Sequence, residues 1–264
     1  MGRGVCRFCY LFFVVLVSCA LNGAVTGHQI GTELRDFVTD FSAINFNLFS
    51  KESLLVAGIG AELYAAAHIV DDSVHNFLYD SSCHTNTYSI GCLRSCFAED
   101  LGIALPLLGI SVGLWCSRDY HTRLVGRDLL AGMVGIGIVK MMLKECLYED
   151  CCYRPYSGCF TKKRVFGGFP SGHAAVLAYA TVLLGLQKGP KWAIGMGAYG
   201  AVVVGSALIC NYHYLSQVVA GATLGALYAV AADRLINQRM NDWLEMEVAV
   251  GQRGNPLLTV TYSF

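Results

Sequence analysis

Six apolar runs, separated by polar or charged connections, constrain this chain more than any other feature. They cover Ser53–Val70, Leu101–Cys116, Leu129–Leu147, Ala174–Leu186, Trp192–Cys210 and Val218–Leu235. Each is of helix length, and several lie near the lower limit for crossing a bilayer. Only 14% of the residues are charged and 55% are hydrophobic, against a usual charged share of about 25%. Glycine and alanine sit inside the apolar runs, where small residues let helices pack closely in a membrane. The expected fold is therefore all-α: a six-helix membrane-associated bundle, built of tilted spanning helices or held as a tight helical domain on the membrane surface. Lys+Arg and Asp+Glu both total 19, so no basic field exists to hold nucleic acid.

The termini read differently from the bundle. Residues 1–20 resemble a targeting segment, with Arg3 and Arg7 ahead of the apolar Phe8–Val17 and a small-residue site at Ser18-Cys19-Ala20. Cleavage after Ala20, lipidation of Cys19 in a lipobox-like Leu16-Val17-Ser18-Cys19, and retention as an anchor all fit that pattern. Residues 21–52 form an N-terminal extension with no strong period, and 53–235 the helical domain. In the tail, 236–264, Met246–Val250 and Leu257–Phe264 flank a turn-rich Gly251–Pro256. The period-two alternation from Leu258 to Phe264 predicts a short C-terminal β-hairpin.

Charge and cysteine placement orient the helices. If successive helices alternate, Arg118, Arg123, Arg127, Lys188, Lys191, Arg234 and Arg239 share one side, which the positive-inside rule assigns to the cytoplasm. The opposite side receives the connections 73–98 and 148–169. These hold Cys83, Cys92, Cys96, Cys151, Cys152 and Cys159, an even set that reads as disulfides in an oxidising compartment. A cleaved signal followed by six full spans places the same connections inside, so the number of true spans stays open.

The stretch Phe169-Pro170-Ser171-Gly172-His173 opens the fourth apolar run. Pro170 suits a first helical turn, and open N–H groups at a helix start, with the positive end of the dipole, favour an anion. Ser171 adds a hydroxyl, Gly172 close backbone approach, and His173 a proton donor. On the same side lie Lys144, Arg154-Pro155, and Ser206 followed by His213 and Gln217. An Arg fork, a Lys point charge and a helix N-terminus match the oxygens of a phosphate. Two histidines flanking the phosphorus match a nucleophile and a general acid.

These motifs resemble those of the type-2 phosphatidic acid phosphatase superfamily, which includes lipid phosphate phosphatases and bacterial acid phosphatases. Its Pro-Ser-Gly-His motif is intact at residues 170–173. Its Ser-Arg-x5-His-x3-Asp motif is recognisable from Ser206 to Gln217. Its Lys-x6-Arg-Pro motif appears as Lys144, nine intervening residues, then Arg154-Pro155. The resemblance covers roughly residues 50–235. It implies a phosphoric monoester or diphosphate hydrolase in which His213 attacks phosphorus and His173 protonates the leaving oxygen. Lys144, Arg154, Ser171 and the Gly172 amide would hold the phosphoryl oxygens, with neither metal nor cofactor. The implied substrate is a phosphorylated lipid or isoprenoid, met at a membrane on the extracytoplasmic (periplasmic or lumenal) side. Two positions depart from the family: Ala207 replaces its second Arg, and Gln217 replaces the Asp that orients the nucleophile. Gln217 can still fix the tautomer of His213, and Arg164 is a candidate substitute cation. The alternative is a catalytically impaired member that binds phosphorylated lipid without turnover.

Overall fold

The computed structural model describes residues 27–78, 100–146, 168–209 and 212–253, and every regular element among them is an α-helix. In chain order these are α1 Gly27–Asn47, α2 Lys51–Leu78, α3 Asp100–Trp115, α4 Tyr120–Cys146, α5 Gly172–Lys188, α6 Pro190–Ile209 and α7 Leu215–Arg253. The six expected helices are α2 to α7. The targeting-like segment and the six cysteines of the two connections lie outside the described residues.

Two expectations are corrected. The described residues contain seven helices, not six, because the extension 21–52 carries α1. Its inward face buries Phe37 and Ile44 but also Asp40, while Val38 and Phe46 face outward. The segment does carry a helical apolar period, so the reading of 21–52 as lacking one is corrected; the carboxylate on its buried stripe and the apolar residues on its exposed face obscure that period without removing it. The predicted β-hairpin also fails at its first arm, since Met246–Val250 lies inside α7. No proline or glycine interrupts the chain between Leu235 and Val250, so helix propagation prevails over a five-residue alternation. The second arm, Leu257–Phe264, falls outside the described residues.

Helices α2 to α7 alternate in direction, as the side-by-side contacts of their ends show. At one end, His121 bonds Gln187 (2.7 Å), Lys188 Nζ donates to Thr122 Oγ1 (2.5 Å), and Gln187 Nε2 donates to Asp233 (2.6 Å). Tyr120 stacks on Trp243 at the same end. At the other end, the first turn of α7 bonds to α2 and to the start of α5. The centre is filled by Leu107, Leu129, Ile136, Leu177, Leu183 and Ile236, all fully buried. Two buried tyrosines cross there edge-on. Tyr179 Oη donates to the Asp128 carbonyl (2.6 Å) and Tyr228 Oη to Asn45 Oδ1 (2.7 Å), so neither hydroxyl is left unsatisfied.

Among the described residues, three helices, α2, α6 and the Leu215–Leu244 part of α7, are long and apolar enough to cross a membrane. Their outward faces are apolar too: Leu54, Leu55, Ile59 and Leu63 on α2, and Ile194 and Val202 on α6. A run of exposed leucine and isoleucine on one helix marks a surface for a membrane or another protein rather than for water.

Candidate active site

The site end is organised by the contact between α5 and α7. Gly221 and Gly225, one turn apart on α7, remove the side chains that would hold the helices apart. A Cβ on Gly221 would stand 2.2 Å from the Ser171 carbonyl oxygen, and one on Gly225 would stand 2.1 Å from that of Ala175. Close approach lets the Ser171 N–H donate to the Gln217 carbonyl (3.0 Å). The loop that opens α5 is thereby tied to the turn that follows His213.

Ser171 is the N-cap of α5, with φ −67° and ψ 113°, and its hydroxyl oxygen accepts from the Ala174 N–H at 3.4 Å. The helix begins at Gly172, so Pro170 lies ahead of the cap rather than in the first turn. Phe169 meets Tyr64 of α2 edge-to-face (5.7 Å), which fixes the entry of the chain. His173, partly exposed, stands in the first turn.

The bare Cα of Gly172 is covered by a lysine. A Cβ there would lie 2.2 Å from Lys140 Nζ and 2.6 Å from its Cε. Lys140 belongs to α4, one turn before Lys144. Lys140 is thus a cation seated on the Pro-Ser-Gly-His loop, one turn from the Lys144 to which the sequence motif points. A cation at the positive end of a helix is electrostatically unfavourable unless an anion shares the place. Arg154 and Arg164 lie outside the described residues.

His213 is buried, and its Nδ1 lies 3.2 Å from Gln217 Oε1. The same Oε1 accepts the Tyr214 backbone N–H at 3.2 Å. A backbone N–H only donates, so the atom facing both groups is the amide oxygen and Nδ1 of His213 carries the proton. Gln217 is itself held in place: a Cβ on Gly168 would stand 2.4 Å from its Oε1. Ala207 is buried on α6, and its carbonyl accepts the Tyr212 N–H (2.8 Å). Ser206 turns back to donate to the Val203 carbonyl (2.8 Å).

One residue with no place in the motifs stands beside His213. Asp71 of α2 is 5% exposed and accepts from Ser216 twice, from its N–H at 2.9 Å and its hydroxyl at 2.5 Å. It also lies 3.2 Å from His68 Nδ1. Asp71, His75, Leu208, His213 and Tyr214 line one small cavity. The sequence holds a signal for Asp71 and for Lys140, since each is an ionisable residue in or at the end of an apolar run.

Residues 129–241 match the family model described as the PAP2 superfamily. Comparison with curated proteins and with solved structures gives no match.

Proposed function

We propose, from the match of residues 129–241 to the PAP2 superfamily model, that this chain is a membrane-associated phosphatase of a lipid phosphate or diphosphate. His213 Nε2 attacks phosphorus, the P–O ester bond breaks, and His173 gives its proton to the leaving oxygen. Water then attacks the phosphohistidine, and phosphate leaves. The observation that carries this reading is the bond between Gln217 Oε1 and His213 Nδ1, because it presents Nε2 with its lone pair. The bond from Ser171 to Gln217 supports it by tying the cradle to the nucleophile.

In this proposal the phosphoryl oxygens meet the Gly172 N–H, the Ser171 hydroxyl proton and the Lys140 ammonium. Lys144, Arg154 and Arg164 remain candidates for further charge. The apolar outward faces of α2 and α6 suit an amphiphilic substrate that approaches from lipid. The basic residues at the far end favour an extracytoplasmic site under the positive-inside rule.

A second reading, binding without turnover, is favoured by Ala207 and Gln217. Gln217 orients an imidazole without the charge that stabilises an imidazolium, and losing the orienting carboxylate of a serine-protease triad costs about 10⁴ in rate. Purified protein given phosphatidic acid or an isoprenyl diphosphate separates the two. Phosphate release that H213A abolishes supports the enzyme. Lipid binding with no release supports the second reading.

A further inference from the structure

We propose that Asp71 is a positioning residue for His213, supplying from α2 the negative charge that Gln217 lacks; the inference rests on the phosphatase reading above. Gln217 fixes the tautomer of His213 but is neutral. Attack on phosphorus leaves the imidazole ring bearing positive charge, and a fixed carboxylate nearby lowers the free energy of that state.

Asp71 has the three properties this task needs. It is near: Ser216, which it accepts from through both backbone and hydroxyl, lies three residues after His213, and Asp71 and His213 face the same cavity. It is fixed, because three donors hold its two oxygens. It is shielded from water, at 5% exposure, so its field is weakly screened. It also faces the positive end of the α7 dipole, since the Ser216 N–H belongs to that helix's first turn.

Other charged or titratable groups among the described residues stand around the pair. They are Asp72, His68 and His75 from α2, Tyr214 from the loop into α7, His173 from α5, and Lys140 of α4 at Gly172. The Tyr214 hydroxyl is pushed up by burial and then by the charges of Asp72 and Asp71, so their field reaches the loop that carries His213.

A cap is the competing role. An aspartate that only closes the N-terminus of α7 would add stability and leave the titration of His213 alone. The test therefore uses the full chain in detergent micelles with labelled histidines. The His213 resonance is assigned by its loss in H213A and titrated in wild type, D71N and the double variant D71N/Q217D. The expected result is a pKa for His213 lower by about one unit in D71N, recovered in the double variant. With phosphatidic acid, kcat falls about tenfold in D71N at unchanged KM and recovers in the double variant. An unmoved His213 titration in D71N, or no recovery on adding Q217D, overturns the proposal. Should D71N not fold, D71E moves the carboxylate by one methylene, and a His213 titration identical to wild type overturns the proposal equally. A wild type that releases no phosphate while D71N still moves His213 upholds the coupling and overturns the phosphatase reading.

Discussion

Gly172 shows how one missing side chain can assemble a site. Any Cβ there would collide with Lys140, so glycine is what permits an ammonium to lie against the first turn of α5. K140A is expected to lower kcat/KM for a lipid phosphate by about 10², and by more than K144A does, as for loss of a charged donor to a transition-state oxygen. Steady-state phosphate release at several substrate concentrations checks this. Lys140 was visible in the sequence as a charge in an apolar run, but motif spacing favours Lys144. Two lysines one turn apart share a face of α4, so it is the axial offset between α4 and α5 that brings Lys140 level with Gly172.

At the scale of helices, the site depends on how closely α5 and α7 approach. G221V puts a branched side chain where the Ser171 carbonyl stands 2.2 Å from the Cβ position. The helices must then separate and the Ser171–Gln217 bond must break. A loss of about 2–3 kcal/mol in unfolding free energy is expected, with activity lost even where the protein stays folded. Thermal unfolding in detergent, alongside the phosphatase assay, checks both. At the opposite end, Asp119 caps α4 by accepting from the Thr122 N–H (2.7 Å) and hydroxyl. Those bonds hold its carboxyl below the ordinary value of 3.8. A lowered folded-state pKa means stability that is present above pH 3.8 and lost as pH falls through the lower folded value. Asp119 is largely exposed, so solvent screens the effect; D119A is expected to cost about 1 kcal/mol at neutral pH. That difference from wild type should shrink below pH 3.8, which melting curves across the acid range would reveal.

For the whole molecule, the end away from the site carries a buried ion cluster that joins three helices. Arg127 Nε lies 2.5 Å from the Asp40 carboxylate and Arg127 Nη1 3.1 Å from Asp36, while Arg239 of α7 also reaches Asp40. Asp40 and Asp128 are fully buried. Removing one partner of such a set leaves charge uncompensated, so R127A is expected to cost about 3–5 kcal/mol. A fall in the detergent melting temperature of R127A against wild type measures it. Arg127 and Arg239 are thus tied into the interior and do not act as loose surface charges, which leaves Arg118, Arg123, Lys188, Lys191 and Arg234 to orient the bundle. If that end is cytoplasmic, a cysteine placed at Arg118 is expected to react with a membrane-impermeant maleimide only after the cells are opened.

The sequence by itself determined the helical class, the six apolar helices and the two histidine-bearing motifs, because apolar periodicity and local loop chemistry are properties of neighbouring residues. Which ends share a side followed from it only on the condition that successive helices alternate, and the ends' own contacts in the folded chain meet that condition. Tertiary structure alone decided three things. It made α1 part of the bundle, because the partner of Asp40 is 87 residues away at Arg127. It carried α7 through the predicted strand, where helix propagation outweighed a short alternation. It also set Lys140 on Gly172 and Asp71 beside His213, since contacts between distant helices depend on axial offset, rotation and close approach, which no local pattern encodes.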